Sequence, residues 1–300
     1  REAESMRKRY LIGFFIVILL ISMGLTWKLK MSVRPSLAKE LLDLPYIVNK
    51  VDELGGEDLQ LNWQEIVSII AVDPKKDVSQ ISEEELQQHA SLFISHYQVL
   101  SFDEVLNQLD LNEKEQKRAY DNLNQLKDYG YIPSKTDPQS FEMRFIESVK
   151  AGAIENYQLY GILPSITIAQ AILESNWGQS DLANQANNLF GIKTGTNWSG
   201  EVMSFETKEG FDEYIIDEFR SYPSLNASII DHGQFLVANP RYTKSGVFEA
   251  KTYRTQAKAL EEAGYSTAKD ENGDKIYAKM LGQLIRQYNL QLIDHAVLYS

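Results

Sequence analysis

Hydrophobic positions change their spacing along this chain, and each spacing predicts a different element. From Tyr10 to Trp27 the sequence "YLIGFFIVILLISMGLTW" carries no charge. At ~1.5 Å per helical residue such a run covers roughly 27 Å, enough to cross the hydrocarbon core of a bilayer. Arg7, Lys8 and Arg9 precede it, Lys28 and Lys30 follow it, and Tyr10 and Trp27 mark its ends. Aromatic rings favour the membrane interface, and the basic cluster in front directs the N-terminus to the cytoplasm. The reading is a cytoplasmic stub and single transmembrane helix over residues 1–31, with everything after it outside the cell. The alternative is a cleaved signal peptide, whose apolar stretch runs ~7–15 residues, and "SMG" at residues 22–24 is the small-residue site on offer.

Beyond this segment the apolar positions take up helical spacing. In "LNWQEIVSIIAV", Trp63, Ile66, Val67 and Ile70 share one face, and Asp73 and Pro74 end the pattern. "SEEELQQHASLFISHY" opens on Ser82 with Glu85 three residues later, a capping box. "SFDEVLNQL" and "NEKEQKRAYDNLNQLKDYGY" predict two more helices, the last stopping at Gly130. Together they predict a small all-α region over residues 36–135, a spacer or docking unit with no paired reactive groups. "IPSKTDPQS", residues 132–140, reads as a boundary, and a second domain spans 140–300. It starts with a helix from Phe141 and continues into "LPSITIAQAILESNWG", with Ser165 as N-cap and most of the circumference apolar, as in a buried central helix. "EVMSFETKEGF" and "EYIIDEFRSY" then alternate with period two and predict an antiparallel hairpin whose tip lies near Glu209. The expected fold class is α+β, mostly α, with a small β-hairpin lobe.

Composition narrows the chemistry. A formal charge of −12 argues against a nucleic-acid partner, which would need a basic stripe. Cysteine is absent, which excludes disulfides, thiolate metal sites and a Cys nucleophile. His89, His96, His232 and His295 are scattered without HExxH spacing, so they read as surface or packing residues and no metal site is expected. "DENGD", residues 270–274, has neither the Gly nor the Glu that would complete a calcium loop, and reads as a solvated turn.

One residue breaks the apolar pattern of the central helix. Glu174 lies in its last turn, where burial and the negative helix end both favour the protonated acid. That is what a general acid needs near neutral pH. The bland alternative is a half-exposed Glu paired with a cation. Glu209, at its hairpin tip, is the second acidic candidate, although a Lys-Glu-Gly tip is also what a solvated turn looks like.

"AQAILESNWGQSDLA", "NNLFGIK", "NWSG", "TKEGF", "FRSYPSLNASIIDHGQFL", "NPRY" and "AGYST" follow in an order that resembles the glycoside hydrolase family 73 glucosaminidases, over about residues 140–294. The resemblance implies a lysozyme-like catalytic domain that cuts the bond between N-acetylglucosamine and N-acetylmuramic acid in bacterial peptidoglycan glycan strands, without a cofactor. It puts the general acid on Glu174, the hairpin carboxylate on Glu209, and the family's tyrosines on Tyr265 and Tyr242. Ser266 stands where the family often has Ala, and "AKDENGDKIYAKML" replaces a shorter "DPxYAxKI" link. Two routes stay open: Glu209 as base toward water with inversion, or attack by the substrate's own acetamido group with retention, Tyr265 or Tyr242 positioning it. Trp177, Asn188, Phe190, Trp198 and Tyr242 are the candidate sugar-binding residues, with core packing as the alternative for Trp177, Phe190 and Trp198 and turn formation for Asn188. A muramidase or lytic transglycosylase is the enzymatic rival, and a noncatalytic wall-binding scaffold the rival of a different class. Partners expected are glycan strands, the membrane, and an integral membrane protein met through the N-terminal helix or residues 36–135. The expected location is the cell membrane of a Gram-positive bacterium, the catalytic domain outside.

Overall fold

The computed structural model describes residues 37, 41–130, 137–195, 198–209 and 213–299, with backbone alone at 207–209 and 213–215. The expected membrane-spanning run of residues 10–27 lies outside the described residues, and no helix among the described residues is long and apolar enough to cross a membrane. The expected fold class is corrected accordingly: the described chain is mostly helical, with two small hairpins.

The first unit is built from α1 (Leu44–Leu54), α2 (Trp63–Ile70), α3 (Glu83–Leu92), α4 (Phe102–Gln108) and α5 (Glu113–Leu126). Three of these starts are written locally. Ser82 with Glu85, Ser101 with Glu104, and Asn112 with Glu115 each close a capping box, satisfying N–H groups that a helix end leaves open. α2 is buried on every side. Two of its polar residues are paired across the core: Gln64 donates to the Leu126 carbonyl at 2.8 Å, and the Ser68 carbonyl accepts from Asn122 at 3.0 Å.

This unit is not all-α. Ile94–Ser95 (β1) and Gln98–Val99 (β2) pair antiparallel around a two-residue turn. His96 and Tyr97 form that turn at φ 49° and 62°, the left-handed geometry that matches strand twist in a tight hairpin. Asn and Gly are the usual residues there, so "SHYQ" gave no sign of it.

The second unit contains α6 (Phe141–Tyr160), α7 (Pro164–Ser175), α8 (Asp181–Ala186), β3 (Val202–Glu209), β4 (Glu213–Arg220), α9 (Leu225–Ala238), α10 (Pro240–Lys244), α11 (Tyr253–Glu262), α12 (Tyr277–Gln287) and α13 (Gln291–Leu298). α7 is the buried centre, packed by α6, α11, α12 and α13. β3 and β4 pair from Val202↔Arg220 to Glu209↔Glu213.

Ser165 is not the N-cap of α7. Leu163 holds that place, because Pro164 presets the first helical φ and lacks the N–H that would need capping. Ser165 instead gives both its backbone N–H and its hydroxyl to the Asp294 carboxyl on α13. Burial outweighs these two bonds and lifts the Asp294 pKa from its ordinary 3.8 to about 7. The native protein therefore holds a proton that the unfolded chain releases near its ordinary value. The stability tied to that proton is complete in acid and is lost as pH rises from about 4 to about 7. Asp294→Asn stays neutral throughout, so its melting temperature is expected to climb relative to wild type across that interval; thermal melts at a series of pH values measure the difference.

Segment 289–299 joins the two units. Asn289 accepts from the Trp63 indole N–H at 3.3 Å and donates to the Tyr129 carbonyl at 2.8 Å. The Tyr299 hydroxyl accepts from the Gln60 amide at 3.1 Å, and Leu292 and Tyr299 pack on the first unit's core. Tyr253 on α11 donates to the buried carboxylate of Asp52 on α1.

Candidate active site

The end of α7 explains the sequence that follows Glu174. Asn176, Trp177 and Gly178 adopt φ of 48°, 61° and 71°, three left-handed residues in succession that turn the chain sharply out of the helix. Such conformations cost non-glycine residues about 1–2 kcal/mol each, so the surroundings must hold them. The Ser175 hydroxyl accepts from Gly178 N–H at 2.7 Å, and the Trp177 ring is clamped edge-on between Phe145 and Tyr288 at centroid distances of 6.0 and 5.0 Å. At Gly178 a Cβ would come within 2.7 Å of the Phe145 ring, which leaves room for glycine only.

Glu174 emerges from this turn onto a cavity of about 390 Å³, whose wall includes Phe190, His232, Arg241, Tyr242 and Tyr265. Its carboxyl opens to the cavity mouth while the walls remove much of its hydration. That desolvation raises its pKa above the ordinary 4.5, partly offset by a hydrogen bond from Tyr277. The Tyr277 hydroxyl donates to Oε1 at 3.1 Å and itself accepts from the Gln170 side-chain amide at 3.1 Å. Gln170 lies one turn before Glu174 on α7 and is fully buried. With the amide donating into the phenol oxygen, the single phenol hydrogen is committed to Oε1. That leaves Oε2 as the carboxyl oxygen available for an acid proton.

Tyr265 stacks on Tyr277 at 5.3 Å. Burial first, then the charge of Glu174, pushes its pKa well above 10, and burial likewise pushes Tyr277 far up. Both phenols therefore stay protonated as donors. Tyr242 is fully buried at the cavity wall, its hydroxyl accepting from Arg241 at 2.5 Å, with the Arg241 guanidinium 4.6 Å over its ring. Phe190 lines the same cavity and stacks on His232.

Of the residues singled out in the sequence, the structure thus gathers Glu174, Tyr265, Tyr242 and Phe190 around one cavity. Others lie elsewhere. Trp177 faces a separate cleft with Phe141, Arg144 and Phe145. Asn188 is buried, and its amide is spent inside the protein: it donates to the Ile192 and Arg220 carbonyls and accepts from the Ile192 N–H, fixing the loop before the hairpin. Trp198 sits at the hairpin foot, donating to the Glu201 carbonyl at 3.0 Å, with the Arg220 guanidinium 4.7 Å over its ring. The Glu209 side chain lies outside what is described; its backbone pairs with Glu213 at the far end of the hairpin. At the near end Arg220 N–H donates to the Ile192 carbonyl at 3.0 Å, which ties the foot of the hairpin to the cavity wall.

Sequence reasoning passed over Gln170, Tyr277 and His232 as site residues. Gln170 did leave a trace, a polar residue one turn ahead of Glu174 in an otherwise apolar run. Among the described residues no cluster of three or more His, Asp or Glu is arranged to hold a metal ion.

Residues 150–290 match the family model described as Glucosaminidase, mannosyl-glycoprotein endo-beta-N-acetylglucosaminidase. The chain is 38% identical over 169 residues to the exo-glucosaminidase LytG of Bacillus subtilis strain 168, covering 54% of this chain and 57% of that protein. It is 34% identical over 144 residues to the peptidoglycan hydrolase FlgJ of Vibrio parahaemolyticus, covering 46% of this chain and 45% of that one. A solved structure, the catalytic domain of the autolysin Auto from Listeria monocytogenes, is 31% identical, with 62% of this chain and 99% of that chain covered at a TM-score of 0.45. The chain spans about half the length of these two curated relatives.

Proposed function

The chain belongs, through residues 150–290, to the glucosaminidase family, and from that premise we propose that it hydrolyses the β-1,4 bond between N-acetylglucosamine and N-acetylmuramic acid in peptidoglycan glycan strands. The observation that carries the proposal is the setting of Glu174: a carboxyl on the cavity wall whose pKa desolvation raises, with Oε1 engaged by Tyr277. Such a group gives its proton to the departing glycosidic oxygen as the C1–O bond breaks and positive charge grows on the sugar ring. Tyr265 shares the cavity wall with Glu174. That proximity supports the route in which the acetamido oxygen of the substrate attacks C1, Tyr265 orienting the acetamido group, before water opens the intermediate with retention. Of the cavity aromatics, Phe190 keeps a little exposed surface that a sugar ring can meet, whereas Tyr242 is fully buried with Arg241 over its ring.

The test is mass spectrometry of purified peptidoglycan digested with the full-length protein. Fragments ending in reducible N-acetylglucosamine support the proposal. Muramic or anhydromuramic ends would move the chain to the muramidase or lytic transglycosylase class, and absence of fragments would leave a glycan-binding scaffold.

Tyr277→Phe is expected to lower turnover about tenfold, the scale of one lost hydrogen bond. Because the Tyr277 bond holds the Glu174 pKa down, its loss raises that pKa further, so the alkaline limb of the pH–rate profile moves to higher pH. A profile with an unmoved limb would separate Tyr277 from Glu174.

Action at the outer face of the cell membrane, and a partner for residues 36–135, form the rest of the proposal. Their support is the sequence of residues 7–30 alone. Recovery of the protein in the soluble fraction of cells would remove it.

A further inference from the structure

His232 stands behind Tyr265 in an environment that fixes its tautomer. The imidazole, on α9, is stacked on Phe190 with ring centroids 3.9 Å apart and planes 8° from parallel, and meets Tyr265 edge-on. Nε2 lies 3.0 Å from the Tyr265 hydroxyl, whereas Nδ1 is buried without a hydrogen-bond partner. A neutral imidazole has one N–H and one lone pair. With the proton on Nδ1, an N–H would be stranded away from water, and orphaned buried N–H groups are the rarer and costlier kind. With the proton on Nε2, the orphan is only a lone pair, and the N–H donates to the Tyr265 oxygen. Tyr265 then has no acceptor at His232 for its own hydrogen, which is left to turn toward an acceptor in the cavity or the neighbouring Tyr277 hydroxyl.

We propose that His232, as the Nε2–H tautomer, is a positioning residue that holds Tyr265 as a one-way hydrogen-bond donor into the Glu174 cavity, toward the carbonyl oxygen of a 2-acetamido sugar. This rests on the glycoside hydrolase reading above. His232 is only 1% exposed, so it acts through Tyr265. Burial lowers its pKa to about 3, so the arrangement persists across the working range of the acid.

Two measurements test it. In the first, long-range ¹H–¹⁵N correlation of the full-length chain labelled in histidine identifies the His232 ring through its loss in His232→Gln. The expected spectrum is the neutral Nε2–H form from about pH 5 to pH 8; an Nδ1–H or doubly protonated ring overturns the proposal. In the second, turnover and KM are measured on soluble peptidoglycan strands. His232→Gln, which keeps a side-chain N–H, is expected to stay within about threefold of wild type, while His232→Leu loses about tenfold in kcat with KM little changed. In a Tyr265→Phe background, His232→Leu is expected to add nothing, and an undiminished loss there overturns the proposal. Should His232→Leu fail to fold, the spectrum of the wild-type ring still decides the tautomer. Should wild type cleave no glycan, the hydrolase reading falls while the tautomer is judged separately.

Discussion

Glu174→Gln is expected to leave the protein folded and to reduce glycan cleavage by about 10²–10⁴-fold, the contribution of a general acid. The substitution is nearly isosteric, and the side-chain amide oxygen can still accept the Tyr277 hydrogen bond that the carboxyl Oε1 accepts in wild type. The surrounding aromatic wall stays filled. What disappears is the transferable proton: an amide N–H is far too weak an acid to protonate a departing sugar oxygen. The check is mass-spectrometric quantification of fragments from purified peptidoglycan, alongside thermal melts of both proteins. Equal fragment yields from wild type and variant, at equal stability, would take the acid role away from Glu174.

Trp63→Ala is expected to cost about 3–5 kcal/mol, the range for emptying a large aromatic site. Trp63 is 1% exposed and sits at the contact between the units, its indole N–H bonded to Asn289. Its removal leaves a cavity in the first core and an Asn289 oxygen without that donor. Because Gln60, Asp52 and Tyr129 also reach across to the second unit, heat is expected to melt both units in one transition. Calorimetry of the full-length chain should show that single transition shifted down by on the order of 10 °C in the variant. Two separate transitions, with only the lower one shifted, would show that the units melt independently.

How far the sequence could be read depended on whether the decisive partner was near in the chain. The β3–β4 hairpin was legible because period-two alternation is a local signal, and the box at Ser82 because its partner is three residues away. Glu174 was legible as an anomaly, a carboxyl closing an apolar helix. Ser165 was misread as a cap because its partner, Asp294, lies 129 residues further on. The turn at His96 and Tyr97 was missed because neither residue type announces a left-handed backbone. Tyr277 and His232 gain their roles from what folding brings beside them, with Glu174 in one case and Tyr265 in the other. Residue type alone could not divide the aromatics: Phe190 and Tyr242 face the cavity, while Trp177 props up the turn behind it.

The bridging segment has a consequence for biogenesis. The hydrogen bond between Gln60 and Tyr299 spans 239 positions, and the one between Trp63 and Asn289 spans 226. Loop closure over such separations is slow and precedes any reward from the contacts it makes. At ~5–20 residues per second, a ribosome needs roughly 10–50 s between making Gln60 and making Tyr299. During that interval the first unit must wait with part of its core uncovered. Three of its helices, α3, α4 and α5, each carry their own capping box, which holds local order through that wait. The chain thus begins folding at one end but completes that same end last.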